Sequence, residues 1–101
     1  AKVYHHFAKL KPKSDCASKP AMYQGGDYRQ QKDLEQVHLI LGFESIAYKD
    51  PDFYTALVLS TLLGEGMSSR LFQEIREKRG LVYTIHSSTA SYRDSGLFTI
   101  Y

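Results

Sequence analysis

Among its 101 residues the chain has one cysteine, Cys16, no tryptophan and only three prolines. A single thiol excludes an internal disulfide framework. Cys16 also lacks the helix start or neighbouring histidine that would activate it as a nucleophile. No apolar run approaches the roughly 18 residues that a membrane-spanning helix needs, and no signal-peptide pattern opens the chain. Charge of one sign is scarce too. The formal net charge is +2, with lysines and arginines interleaved among acids, which argues against a nucleic-acid partner.

Familiar catalytic signatures are missing. Neither H-E-x-x-H nor H-x-x-E-H occurs. His5 and His6 are adjacent and do not share a face, while His38 and His86 alternate with apolar residues as ordinary strand positions do. No metal site is expected in this chain. There is no G-x-S-x-G elbow, and Gly64-Glu65-Gly66 lacks the G-K-[ST] ending of a phosphate loop. Ser68-Ser69 reads as a helix cap.

What is present is a globular composition, 43% hydrophobic and 24% charged, enough to order a chain. Val3, Tyr4, Phe7 and Leu10 fall near helical spacing, so Lys2–Lys9 reads as the end of a helix. A polar, proline-bounded linker, residues 11–20, follows. Asp27–Gln31 reads as a strand. Val37, Leu39, Leu41 and Phe43 alternate with Gln36, His38, Ile40 and Gly42, the pattern of a second strand. Asp50-Pro51-Asp52 opens a helix with a capping carboxylate and a proline suited to its first turn. That helix is apolar on almost every side up to Leu63, which predicts cover on more than one face, and Gly64 stops it.

A second helix is predicted over Ser68–Arg79, with Met67, Leu71, Phe72 and Ile75 on one stripe and Gly80 as its stop. Leu81–Tyr92 reads as a strand. Arg93-Asp94-Ser95-Gly96 is a turn into a last strand, Leu97–Tyr101. The order β-β-α-α-β-β, with strands and helices in separate runs, predicts an α+β fold: helices on one face of a mainly antiparallel sheet. A chain that ends inside a strand, after a linker at its front, reads as part of a longer protein. Residues 1–22 are then the end of a preceding helix and a linker, and residues 23–101 a truncated domain.

One pair remains for chemistry. Arg76 offers a planar fork of donors that stays charged, and Tyr83, seven residues on, offers a phenolic donor. Aimed at one point, they could hold a peptide carbonyl or an oxyanion. On residue type alone the plainer reading carries more weight: Arg76 satisfies its helix terminus and Tyr83 fills a half-buried strand.

The run Leu63-Gly64-Glu65-Gly66-Met67-Ser68-Ser69-Arg70-Leu71-Phe72-Gln73-Glu74-Ile75-Arg76-Glu77-Lys78-Arg79-Gly80-Leu81-Val82-Tyr83, with Asp33–Leu39 and Gly42-Phe43, resembles the pitrilysin-type zinc peptidases. That family includes the mitochondrial processing peptidase and its bacterial relatives. The resemblance implies a clamshell of two similar α+β halves, of which this is the zinc-free one. Zinc is then expected in the other half, in the same chain or in a partner subunit, and the compartment is mitochondrial or bacterial. Arg76 and Tyr83 are implied to grip the substrate backbone and steady the scissile carbonyl, and Gly64 and Gly66 to contact substrate. The isolated chain is expected to be inactive. The alternative is a non-catalytic scaffold subunit of the same family.

Overall fold

A computed structural model describes Ala8, Lys19 and residues 21–101. The expected helix end over Lys2–Lys9, the linker and Cys16 lie outside the described residues, Ala8 and Lys19 apart. The elements run β1 (Leu41–Ser45), α1 (Phe53–Gly64), a π-helix (Phe72–Glu77), β2 (Ser87–Ser91) and β3 (Gly96–Ile100). The strands form one open antiparallel sheet in the order β1-β3-β2. With α1 packed against β2, the fold is α+β.

β3 is central because both neighbours pair along its whole length. Leu41 to Ser45 face Ile100 to Gly96 on one side, and Ser87 to Ser91 face the same residues on the other. Cross-strand pairs hold the register: the Phe43 and Phe98 rings lie 6.2 Å apart, and the Ser88 and Thr99 hydroxyls meet at 2.8 Å. Such pairs contribute roughly 0.2–1 kcal/mol each. The hairpin turn is Tyr92–Ser95, closed by Tyr92 N–H to Ser95 O at 2.8 Å. Gly96 thus belongs to the strand rather than to the turn. A side chain there would run into the backbone of Ile46.

The stretch before β1 departs from the alternation seen in the sequence. Neither Asp27–Gln31 nor residues 36–40 form a strand, so the observed order is β-α-π-β-β. The β1–β3 ladder stops at Leu41 opposite Ile100, and residues 36–40 meet no strand among the described residues. Alternation without a ladder leaves backbone groups unpaired and does not make a strand. Residues 21–40 are instead tied down at three places: Ala21 N–H to Asp94 Oδ2 at 3.0 Å, Tyr23 Oη–H to Gly42 O at 2.8 Å, and His38 Nδ1 to Tyr101 Oη at 2.7 Å.

The entry to α1 follows its sequence with one shift. The Asp50 carboxylate accepts the Asp52 N–H at 2.9 Å, making a turn ahead of the helix, and Asp52 is the capping position without a side-chain cap bond. At the far end Glu65 is extended and donates its N–H to Thr61 O at 3.2 Å. Gly64 is therefore the last helical residue, and the left-handed turn falls at Gly66, with φ +84. Tyr54, Val58, Leu59 and Leu62 are all exposed, and no apolar side chain among the described residues is fully buried. The buried polar side chains are Ser60, Ser69 and Ser87. The Ser87 hydroxyl donates to Ser60 O at 2.8 Å, linking β2 to α1. Ser87→Ala is expected to cost about 1 kcal/mol, read as a lowered urea midpoint.

Candidate functional site

The second helix is not a regular α-helix. After a single turn at Arg70–Leu71 it widens into the π-helix, in which Lys78 N–H reaches back five residues to Gln73 O at 3.0 Å. π-turns of this kind recur at functional sites. The Gln73 side-chain amide donates to Met67 O at 2.7 Å, holding the glycine turn to the helix start. Gly80, with φ +60, ends the helix as its sequence predicts. Its N–H goes to Arg76 O at 3.0 Å and that of Leu81 to Ile75 O at 3.2 Å, so terminal carbonyls are satisfied by the backbone.

The backbone after Gly80 is irregular until β2 begins at Ser87. Tyr83 therefore lies in a connection and not in the strand expected over Leu81–Tyr92. It is 81% exposed and free to turn toward the helix. The Arg76 guanidinium carbon lies 5.7 Å from the centre of the Tyr83 ring and 4.5 Å from that of Phe72. Arg76 thus lies over two aromatic rings, contacts that favour a cation electrostatically. Its one charged neighbour within ion-pair reach among the described residues is Glu77, at 3.8 Å, and 34% of its side chain remains accessible. Among the described residues neither the Arg76 guanidinium nor the Tyr83 hydroxyl makes a hydrogen bond. Both keep donors available for an outside acceptor.

Charges nearby are arranged along the helix. Lys78 Nζ meets Glu74 Oε1 at 2.5 Å, four residues apart. This hydrogen bond, followed by the attraction of the Lys78 charge and of Arg79 and Arg70, holds the Glu74 carboxyl below its usual value. A lowered carboxylate stabilises the fold above its unfolded-state value and loses that effect as pH falls through the folded one. Glu74→Gln is expected to flatten the acid limb of a stability–pH profile at low salt, and less so at high salt.

The two glycines singled out in the sequence have different surroundings. Gly64 is buried against the start of β2, where a Cβ would collide with the Ser87 backbone nitrogen and approach the His86 carbonyl carbon to 2.9 Å. Gly66 has open space around it and the left-handed backbone. Gly66→Ala is expected to destabilise by about 1–2 kcal/mol from backbone strain, measured by urea unfolding.

A cluster that the sequence reading treated as ordinary strand positions also forms. His38 and His86 both lie against the Tyr101 ring, with centres 6.0 and 5.1 Å away. An open groove of about 780 Å³ runs beside it, lined by Val37, Leu39, Leu71, Ile75, Leu81 and Tyr83 among others. The described residues contain no group of three or more histidine, cysteine, aspartate or glutamate side chains able to hold a metal. The residues described here therefore do not fit a zinc ion. No helix among them is long and apolar enough to cross a membrane.

Comparison with known proteins matches this frame. The family model for the peptidase M16 inactive domain matches residues 1–101. An uncharacterised zinc protease of Rickettsia felis is 49% identical over 96 residues, covering 94% of this chain and 23% of that protein. Another, from Bacillus subtilis, is 47% identical over 72 residues, 71% of this chain and 18% of its own length. Among solved structures, a protease from Helicobacter pylori aligns with a TM-score of 0.65 at 29% identity, over 96% of this chain and 25% of that one. The peptidase M16 inactive domain from Pseudomonas fluorescens aligns with a TM-score of 0.58 at 35% identity, over 60% of this chain and 15% of that one. The chain thus spans about a quarter or less of the length of these relatives. Matched along its whole length by one model, and nearly half identical to proteins called zinc proteases, it belongs to the inactive-domain family of the M16 peptidases.

Proposed function

We propose that this chain is the substrate-positioning face of the zinc-free half of a zinc endopeptidase acting on extended peptides or presequences. The observation that carries the reading is the approach of Arg76 to Tyr83, the guanidinium 5.7 Å from the ring centre, with neither side chain hydrogen-bonded among the described residues. A peptide carbonyl oxygen placed between them would accept from the guanidinium and the phenol. Both bonds would strengthen as negative charge develops on that oxygen during attack. The glycine turn lies just before the helix that carries Arg76, and Gly66, with open space on its Cα side, is the part of it that a peptide backbone could approach. Gly64 shares in that contact by allowing the turn to close against β2.

The metal of such an enzyme belongs to the other half, in the same chain or in a partner subunit. Residues 23–101 are a truncated part of the zinc-free half. The exposed apolar side of α1 is the surface that further structure would cover.

The test uses the full-length protein together with its zinc-bearing half and an extended fluorogenic peptide. The expected result is cleavage that a chelator abolishes and that Arg76→Ala weakens at unchanged zinc content. If the assembled, zinc-loaded protein cleaves no extended peptide, the scaffold reading replaces this one.

A further inference from the structure

A long arginine side chain carries several rotatable bonds, and a donor that is not pre-oriented loses much of its effect on a developing charge. Among the described residues no acid holds Arg76 at hydrogen-bond distance, since its ion-pair neighbour there, Glu77, is 3.8 Å away. The shorter of its two ring contacts is with Phe72, at 4.5 Å, against 5.7 Å for Tyr83. Phe72 and Arg76 open and nearly close the π-helix, four residues apart, so their side chains are neighbours on one face. Phe72 is half-buried, whereas Tyr83 is largely exposed. The fixed side of the contact is the phenylalanine.

From this geometry we infer that Phe72 is a positioning residue for Arg76. Its ring face orients the guanidinium, and the Tyr83 ring is the second, more distant contact. The apolar stripe on which Phe72 falls makes it look like a core residue, but no apolar side chain among the described residues is fully buried, and the ring lies against a cation. The inference rests on the carbonyl-binding role proposed for Arg76, and the test separates the two.

In the full-length, zinc-loaded protein, Phe72→Leu keeps apolar volume and removes the ring face. It is expected to lower kcat/KM by roughly 2- to 30-fold, the range of cation–π contacts between exposed and desolvated settings, mainly through kcat. Phe72→Tyr and Phe72→Trp keep a ring face and restore most of the rate. In an Arg76→Ala background Phe72→Leu has no further effect, because Phe72 acts through Arg76. The same loss in both backgrounds, or full activity in Phe72→Leu beside a defective Arg76→Ala, overturns the positioning role alone. If Arg76→Ala is itself unimpaired, the carbonyl-binding reading falls and the positioning role with it. A readout independent of turnover is the ring-current shift of the Arg76 side-chain protons in arginine-labelled protein. It is expected to fall sharply in Phe72→Leu, leaving the smaller contribution of Tyr83, and to persist in Phe72→Trp; an unchanged shift in Phe72→Leu refutes the contact.

Discussion

Arg76→Ala in the full-length, zinc-loaded protein is expected to lower kcat/KM for an extended peptide by ~2–4 kcal/mol, on the order of 30- to 1000-fold. Tyr83→Phe is expected to fall in the same range. The size follows from where the donors act. A hydrogen bond to a neutral carbonyl is worth little net, because water offers the same. One aimed at an oxygen that gains charge in a water-poor cleft is worth far more, and only the transition state receives the difference. The loss should therefore appear in kcat more than in KM. Tyr83→Phe keeps the ring beside Arg76, so it isolates the hydroxyl from the stacking. Arg76→Lys keeps the charge but loses the planar fork and should recover only part of the rate. Zinc content should not change in any of these variants. If both Arg76→Ala and Tyr83→Phe keep wild-type kcat/KM, neither side chain binds the reacting carbonyl.

The second large effect concerns stability and is expected at Gly64. Local helix propensity predicts that Gly64→Ala stabilises, since alanine is favoured over glycine by about 1 kcal/mol in a helix. The tertiary structure predicts the opposite. A Cβ at this position would meet the Ser87 backbone nitrogen and hydroxyl and, at 2.9 Å, the His86 carbonyl carbon. Two of these atoms are backbone and cannot rotate away. Relief would require moving the start of β2 off α1 and breaking the bond from Ser87 to Ser60. Overpacking of this kind costs about 1–3 kcal/mol, so packing outweighs propensity, and Gly64→Val should be worse. Urea unfolding checks it directly: a raised midpoint for Gly64→Ala would show that α1 and β2 are not in contact as described.

Much of the site was legible in the sequence because its signals are short-range. Gly80 takes the left-handed conformation that a helix stop requires. Asp50-Pro51-Asp52 makes its turn with a side chain two residues away. Arg76 and Tyr83 meet because a helix stop between them folds the chain back over a few residues. Phe72 was less legible. It fell on the apolar stripe at helical spacing, and an aromatic there reads as core until its ring is seen over a guanidinium. His38 carried no signal for its meeting with Tyr101, which is far along the chain and shares no motif with it, whereas His86 faces Tyr101 across the hairpin.

The strands divide on the same line. Residues 36–45 show one alternating pattern in the sequence, yet only Leu41–Ser45 form a strand, because that is where β3 lies opposite. Alternation says which side chains could share a face; a ladder exists only where another strand supplies its donors and acceptors. The helix from Ser68 onward likewise has an α-helical pattern of apolar residues, while the observed bonds run to the fifth residue back at Lys78. By itself the sequence determined the helix stop at Gly80, the turn at Asp50-Pro51-Asp52 and the family, all written in neighbouring residues or in motif spacing. Only the tertiary structure decided the extent of β1, the need for glycine at Gly64 and the two ring contacts of Arg76. Each of these depends on a distance between side chains or strands that covalent neighbours do not set.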